Sequence, residues 1–303
     1  RNRAEVENGG GIRISYFAAL NATRDVVIAD NFAAEDGGGI FGYGESLIAL
    51  SDSVQVIRNT ATFNGGGIVI QVDCTLEGRN NISISGNKAS ENGAGVWITR
   101  NSVGTFREDV LVSDNSARDD GGGFYVNDEC SLFLSDRVQV LRNRAEVENG
   151  GGIRISYFAA LNATRDVVIA DNFAAKDGGG MDVYHRSTVS LTEGVLVRNN
   201  SCLMLGGGIK FLDPESAPSI PGGFTIQRDV QIIANSAGED GGGLYLINAE
   251  ADISDNVEVM HNAADGSGGG IRAVRSSSVS LSRSVMIQDN SAGLSGGGVS
   301  VSG

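Results

Sequence analysis

Apolar and polar side chains alternate along short stretches of this chain with a period of two residues. After nearly every Gly-Gly-Gly triplet the first and third residues are apolar, as in Ile12 and Ile14. A second apolar pair, such as Ile48 and Leu50, follows further on, and a third precedes a recurring Asn. Period-two alternation is typical of strands with one buried face, whereas a helix needs a period of 3.6. The pattern therefore predicts three short strands per unit and no helix.

The unit recurs at a nearly constant spacing. A Gly-Gly-Gly triplet, once Gly-Ala-Gly, occurs eleven times, with most steps 28 residues long. The triplets begin at Gly9, Gly37, Gly65, Gly93, Gly121, Gly150, Gly178, Gly206, Gly241, Gly268 and Gly296. One such unit cannot bury its apolar face alone, whereas parallel stacking buries the alternate residues of all units in one core. The sequence thus predicts an all-β parallel β-solenoid of about 11 coils.

One Asn per unit stands before each triplet, followed by any residue and then by Ala or Cys. We expect these Asn side chains to point inward at a corner, where stacked amides can hydrogen-bond from coil to coil. The column therefore predicts a structural ladder rather than a ligand site. The ladder comprises Asn31, Asn59, Asn87, Asn115, Asn143, Asn172, Asn200, Asn235, Asn262 and Asn290.

The periodicity covers the whole chain, so we expect a single β-solenoid domain over residues 1–303 that is a window of a longer array. One unit is markedly long, and its residues 213–223 contain all three prolines. Proline donates no backbone hydrogen bond, so this segment is expected to protrude as a loop. Residues 1–34 recur unchanged as residues 142–175. Neither end shows a polar capping unit, which favours self-association end to end or within a filament.

The run from Val54 through Asn59 and Ala61 to Ile68 resembles the repeats of polymorphic outer-membrane proteins. Those repeats carry a Gly-Gly-Ala-aliphatic motif and a Phe-x-x-Asn motif on a right-handed parallel β-helix. In this chain the third triplet residue is Gly, and most units have an aliphatic residue instead of Phe before the Asn. The resemblance implies a right-handed β-helix with a structural or adhesive role, located outside the cell or at its surface. Its expected partners are other copies, and glycans or cell-surface ligands.

Two features of the sequence argue against nucleic-acid binding and against a membrane-spanning helix. The net charge of −14 argues against a nucleic-acid partner, because phosphate binding needs a basic face. No apolar run approaches the roughly 20 residues of a membrane-spanning helix. The three cysteines do not form a disulfide framework: Cys202 occupies an Ala position, and Cys74 and Cys130 lie two units apart.

Four Asn-x-Ser/Thr sequons are present, and the strand alternation directs each Asn outward. We therefore expect a glycoprotein if the chain is secreted by a eukaryote. The candidate glycosylation sites are Asn21, Asn81, Asn162 and Asn199.

Catalytic chemistry is weakly represented in the sequence. The two histidines lie in different coils without ligands at metal-binding spacing, so no catalytic, cofactor or metal residue is assigned. Acidic residues such as Asp36 and Asp120 recur just before the triplets, which is typical of turns and leaves a Ca²⁺-binding edge as a lesser alternative. We expect a non-enzymatic protein. The alternative is a polysaccharide lyase or hydrolase, which would gather three or more carboxylates with Arg or Lys in two or three adjacent coils.

Charged residues also alternate in sign along one column of the expected outer surface. The column lies seven residues before the ladder Asn and comprises Arg165, Glu193, Arg228, Asp255 and Arg283 in five consecutive coils. Stacking brings such side chains about 5 Å apart, so the sequence predicts an external charge ladder.

Overall fold

The described residues form a parallel β-solenoid. A computed structural model describes residues 1–214 and 223–303, and most of the loop predicted over 213–223 lies outside the described residues. Every regular element in the described ranges is a strand, and each strand, except the first and last of each sheet, pairs in parallel with the equivalent strands one coil before and one coil after. Ile68, for example, is paired with Ile40 on one side and with Val96 on the other. The predicted all-β solenoid is confirmed.

Four parallel sheets, numbered here in the order in which a coil passes through them after its triplet, enclose the core. Sheet 1 consists of Ile12–Ser15, Ile40–Tyr43, Ile68–Gln71, Val96–Thr99, Phe124–Val126, Ile153–Ser156, Met181–Tyr184, Ile209–Leu212, Leu244–Ile247, Ile271–Val274 and Val299–Ser302. Sheet 2 consists of Ala19–Thr23, Leu47–Ser51, Thr75–Arg79, Val103–Arg107, Ser131–Ser135, Ala160–Thr164, Thr188–Thr192, Gly223–Gln227, Glu250–Ser254 and Ser278–Ser282.

The remaining two sheets have shorter strands. Sheet 3 consists of Val27–Ala29, Gln55–Ile57, Ser83–Ser85, Leu111–Ser113, Gln139–Leu141, Val168–Ala170, Leu196–Arg198, Gln231–Ile233, Glu258–Met260 and Met286–Gln288. Sheet 4 consists of Arg3–Ala4, Phe32–Ala33, Thr60–Ala61, Lys88–Ala89, Ser116–Ala117, Arg144–Ala145, Phe173–Ala174, Ser201–Cys202, Ser236–Ala237, Ala263–Ala264 and Ser291–Ala292.

Sheet 4 corrects the expectation of three strands per coil. Its strands are two residues long and directly follow the ladder Asn, with one small residue such as Ala61 facing inward and fully buried. Two residues are too few to show an alternation, so the pattern that revealed the other three strands could not reveal this one.

The apolar residues of sheets 1, 2 and 3 form one continuous core along the axis. Val56, Ile84 and Val112, which are successive members of one column in sheet 3, are all fully buried. Burying such a side chain contributes about 1.5–3 kcal/mol, so a repeated column stabilises the stack in every coil. The described residues contain no helix, and hence none that could cross a membrane.

Residue size varies along the core, but neighbouring coils compensate. Phe106 fills the space beside Gly78, its partner in the preceding coil, where a Cβ would lie 2.7 Å from the Phe106 ring. The same ring packs edge-to-face against Phe124, with centroids 5.3 Å apart. Glycine inside these strands therefore marks close approach by a neighbouring coil.

A two-residue turn joins sheet 1 to sheet 2, and most of these turns place both residues in the left-handed region. Val72 and Asp73, for example, have φ of 65° and 57°. Backbone hydrogen bonds keep the turns in register, as from the Asp73 N–H to the Arg100 carbonyl oxygen. The column is called the turn strip below. Its first seven turns are Tyr16–Phe17, Gly44–Glu45, Val72–Asp73, Arg100–Asn101, Asp128–Glu129, Tyr157–Phe158 and His185–Arg186.

Candidate functional site

The ladder asparagines line one interior corner, between sheets 3 and 4. Asn115 is fully buried, and its Oδ1 accepts hydrogen bonds from the backbone N–H and the Nδ2 of Asn87, both at 3.0 Å. Its own Nδ2 donates to the Ile84 carbonyl oxygen and to Asn143 Oδ1. The Asn115 side chain thus hydrogen-bonds to backbone groups of the preceding coil that have no strand partner at the corner. The predicted Asn ladder is confirmed, with side-chain bonds linking successive members from Asn2 to Asn290.

The third glycine of each triplet lies against this ladder. A Cβ on Gly67 would be 2.5 Å from the Gly95 carbonyl oxygen and 3.0 Å from Asn87 Nδ2. Glycine here allows adjacent coils and the amide column to approach. Part of the triplet pattern therefore depends on the ladder.

A second ladder, which the sequence patterns did not reveal, lies just before the triplets. Asp36 Oδ1 accepts from the backbone N–H and the Nδ2 of Asn64, at 2.9 and 3.0 Å. Asn64 Oδ1 accepts in the same way from Asn92. The signal was present, since eight of the eleven triplets are directly preceded by Asn or Asp. It is hidden because either residue is also an ordinary turn former.

Basic side chains face the aspartates of this second ladder. They occupy the second position of sheet 1 strands, one coil beyond the Asp. Lys210 Nζ lies 2.5 Å from Asp177 Oδ2, Arg272 Nε lies 3.6 Å from Asp240 Oδ2, and Arg154 Nε lies 3.9 Å from Asp120 Oδ2. The pre-triplet acidic residues are therefore turn residues with axial partners, as the sequence favoured over a Ca²⁺-binding edge.

Asp36 is the exception among these aspartates. By strand register, Val69 stands where Arg154 stands relative to Asp120. Burial raises the pKa of Asp36, and the hydrogen bonds from Asn64 only partly oppose this effect. Asp36 is thus a partly buried carboxyl group without a basic side chain at the equivalent position.

The most concentrated charges lie in the middle of the rod. Asp182 forms ion pairs with Arg154 and, at 3.5 Å, with Lys210, and these two also approach Asp120 and Asp177. This ionic cluster holds three carboxylates and two basic groups, which is the composition expected of an enzyme site, although it spans four successive coils instead of two or three. However, the side chains of Asp182, Lys210 and Arg154 are only 1, 9 and 10 % exposed. Each basic group of the cluster contacts two carboxylates, so loss of one member would leave an uncompensated buried charge between coils, and the burial restricts access for a polymer substrate.

The external charge column forms separate pairs rather than a continuous ladder among the described residues. Arg165 pairs with Asp136 at 2.9 Å, Arg228 with Glu193 at 3.4 Å, and Arg283 with Asp255 at 3.4 Å. In every case the arginine reaches the acidic residue of the preceding coil. Axial pairing is confirmed, with each arginine committed to one neighbour.

Several other exposed ion pairs also join an arginine to the preceding coil, whereas Arg3–Glu5 and Arg144–Glu146 form within one coil. Arg58 forms a bidentate pair with Asp30, and Arg142 with Asp114, each across one coil. The arginine holds the pKa of each of these aspartates below its ordinary value.

The candidate glycosylation residues Asn21, Asn81, Asn162 and Asn199 are all exposed. Asn21 and Asn162 lie in the middle of sheet 2 strands, and Asn81 and Asn199 adopt left-handed turn conformations. Their predicted outward direction is confirmed, and their modification stays a prediction.

The cysteines are buried and free. Ser102 separates Cys74 from Cys130, hydrogen-bonding to each at 3.1 Å. Burial raises the pKa of Cys130 and of Cys202 to about 12, so neither is a nucleophile at neutral pH. No group of three or more metal-ligating side chains occurs within residues 1–214 and 223–303.

Comparison with known proteins gives one match. Residues 47–213, which are 167 of the 303 residues, match the family model described as a right handed beta helix region. No curated protein and no solved structure matches the chain. The match confirms the expected handedness, while the closer resemblance to polymorphic outer-membrane repeats stays a prediction.

Replacing Asn115 with Leu should destabilise the protein by at least about 3 kcal/mol, because several buried groups lose their partners at once. Asn162→Leu is the matched control, since Asn162 is exposed on a sheet 2 strand, and it should change stability by no more than about 0.5 kcal/mol. Thermal and denaturant unfolding followed by circular dichroism measures both. Equal stability of the two variants would contradict the role assigned to the ladder.

Replacing Asp36 with Asn should raise the melting temperature at pH 7, because Asn keeps the ladder bond and removes a partly buried charge. The raised pKa means that the folded state binds the proton more tightly than the unfolded chain does. The stability that Asp36 contributes is therefore present at acid pH and lost as pH rises through its folded pKa. The gain from the variant should shrink as pH falls below the ordinary value of 3.8.

Asp120→Asn is the paired variant for this test. It keeps the same ladder bonds but removes the carboxylate that faces Arg154, so it should lower the melting temperature at pH 7. If both variants shift the melting temperature in the same direction at pH 7, the contrast drawn between the two aspartates is wrong.

Proposed function

Because the chain belongs to the right-handed β-helix family, we propose that it is a non-enzymatic, structural and adhesive rod of an extracellular or cell-surface fibre. The observation that carries this proposal is the axial direction of its polar contacts. The interior Asn ladder, the pre-triplet ladder and most of the exposed ion pairs among the described residues join one coil to the next. Chemistry that is repeated in every coil suits a mechanical role better than a local one.

From the same contacts we expect such a rod to resist unfolding. Each interior coil is bonded on both of its faces, so separating two coils breaks four strand pairings together with the ladder bonds at that level. In a solenoid, stability is the sum of the coils and of their nearest-neighbour contacts. A protein built this way loses structure most readily from its ends, which suits a durable surface element.

We propose that copies associate end to end within a filament. The surface that one coil presents to the next is nearly the same at every level, with parallel strand edges and an Asn amide in a fixed position. Strand edges of this kind favour pairing with an equivalent edge of another copy. The four exposed sequons support an extracellular setting, because N-linked carbohydrate attached to them would lie on the sides of the rod.

A polysaccharide lyase or hydrolase remains the second candidate, since the ionic cluster around Asp182 has the expected number of carboxylates and basic groups. Its burial and its resemblance to the isolated Asp240–Arg272 pair support the structural alternative. The variant Asp182→Asn distinguishes the two roles. The substitution should lower stability in either case, but only in an enzyme would it also abolish the release of reducing ends from a polysaccharide.

Electron microscopy of the purified protein tests the structural role. We expect rods about 50 Å long for each copy, from eleven coils at roughly 4.8 Å, and longer filaments as the protein concentration rises. Reducing-end assays on pectin, alginate and β-glucan should show no turnover by the same sample. Compact particles at all concentrations, together with depolymerisation that Asp182→Asn abolishes, would favour the enzyme.

Glycosylation is tested by expression in a eukaryotic secretory host followed by glycopeptide mass spectrometry. Asn21 and Asn162 share identical flanking sequences and exposed strand positions, so we expect both to be modified. Thr23→Ala and Thr164→Ala remove the two sequons and serve as matched controls. Unmodified Asn at all four sites in this host would remove glycan decoration from the proposal.

A further inference from the structure

Two turns on one edge of the rod expose aromatic rings. In the turn strip, Tyr16 and Phe17 lie in the first coil, and Tyr157 and Phe158 lie five coils further along. Their exposures are 68, 75, 44 and 49 %. Exposed aromatic rings that are clustered on a rigid edge, rather than scattered singly, are typical of an interaction site.

A third ring supports each exposed pair from the next coil. Tyr43 packs edge-to-face against Tyr16, with centroids 5.4 Å apart, and Tyr184 packs in the same way against Tyr157 at 5.8 Å. We call these groups the first platform (Tyr16, Phe17, Tyr43) and the second platform (Tyr157, Phe158, Tyr184). In the second platform, the ring of His185 also packs against both exposed rings.

The turn conformation does not call for aromatic residues. Tyr157 and Phe158 have φ of 53° and 63°, in a region that favours Gly, Asn and Asp. The same column holds such residues elsewhere, for example Asn101 and Asp128. Bulky rings held in this conformation and exposed to solvent point to a function outside folding.

The duplication within the chain does not account for the whole of each platform. The identical segments end at residues 34 and 175, before Tyr43 and Tyr184. Beyond them the two copies diverge, so that Phe41 corresponds to Asp182 and Gly44 to His185, yet the tyrosine is present in both. The three-ring arrangement is thus retained although its surroundings differ.

Planar polar side chains fill the turn strip between the two platforms. They are all exposed, and they comprise Glu45, Asp73, Arg100, Asn101, Asp128 and Glu129. Carboxylate, amide and guanidinium groups can each make paired hydrogen bonds to neighbouring hydroxyl groups. Four of these six groups are acidic and one is basic, so the strip disfavours a polyanion.

We propose that the turn strip binds an uncharged linear polysaccharide that runs parallel to the rod axis. A pyranose ring has an apolar C–H face that stacks on an aromatic ring, and hydroxyl groups at its edge that hydrogen-bond to planar polar side chains. The platforms lie in one axial column, five coils or roughly 24 Å apart, so a repeating polymer meets both of them at once. This proposal names the ligand of the adhesive role and rests on that part of the proposed function, but it does not depend on filament formation.

The experiment is native affinity electrophoresis in gels that contain hydroxyethylcellulose, galactomannan or, as a polyanion, polygalacturonate. The variants are Tyr16→Asn/Phe17→Asn, Tyr157→Asn/Phe158→Asn and the combination of all four substitutions. Asn is chosen because it tolerates the left-handed turn, so the variants should melt no lower than the parent protein. Phe133→Asn is the matched control, since Phe133 is 43 % exposed on a sheet 2 strand away from the turn strip.

We expect at least one uncharged polymer to retard the parent protein and Phe133→Asn equally, and polygalacturonate to retard neither. Loss of either platform should weaken binding of the long polymer by roughly 10-fold or more, because bivalent contact is lost. The fourfold variant should not be retarded. Oligosaccharides that are too short to reach both platforms should bind a single-platform variant with about the same affinity per site as they bind the parent. The variant has one such site instead of two.

Several outcomes would overturn the proposal. One is mobility unaffected by either uncharged polymer, and another is retardation that persists in the fourfold variant. Retardation by polygalacturonate that high salt abolishes would identify a charged ligand instead. Concentration-dependent dimerisation that the fourfold variant loses, without polymer binding, would assign the rings to contact with a second copy. Electron microscopy of the fourfold variant tests the proposed rod separately. The rod should keep its shape whether or not polysaccharide binding is lost.

Discussion

The hydrogen bond between one coil and the next is the constraint on which this protein depends. Parallel pairing fixes the axial step, and every other feature of a coil must repeat at that step or leave the stack. At the corner after sheet 3 the backbone turns away from its neighbours, and the amide of the ladder Asn supplies the bonds that strands supply elsewhere. The triplet glycine beside it, the apolar columns and the exposed ion pairs all follow from the same repeat. A local polar interaction thus determines the long-range order.

The two ladders lie at opposite ends of the sheet 4 strands and differ in the residue types that they contain. The interior ladder is made only of asparagines, since a buried amide both donates and accepts and needs no charged partner. The pre-triplet ladder is partly exposed and accepts Asp as well as Asn. Its aspartates at Asp120, Asp177 and Asp240 are accompanied by a basic residue one coil further on. Aspartate therefore occurs in this ladder where the next coil supplies a basic side chain. Asp36 is the exception, because it has no basic side chain at the equivalent position.

Much of the fold could be predicted because the same residue pattern recurs in each coil. A single alternating segment is ambiguous, but the Val56, Ile84 and Val112 column repeats the same evidence in each coil. The two-residue strands such as Thr60–Ala61 escaped prediction, since no period fits into two residues. The pre-triplet ladder escaped because Asn64 and Asp36 look like ordinary turn residues until a coil is stacked on them. The ionic cluster around Asp182 needed the register between coils, which sequence spacing gives only approximately.

The turns absorb small irregularities without disturbing the stack. Residues 142–175 include a segment with one additional residue between Ala145 and Gly150, and both ladders nevertheless continue through it with hydrogen bonds of ordinary length. Because each coil touches only its two neighbours, adding a whole number of coils leaves every contact in phase, and the identical segments 1–34 and 142–175 are offset by 141 residues, or five coils. The length of such a rod is therefore adjustable by genetic duplication in increments of one coil, without a new core or a new folding problem. Duplication of whole coils would lengthen the rod while leaving its surface chemistry unchanged.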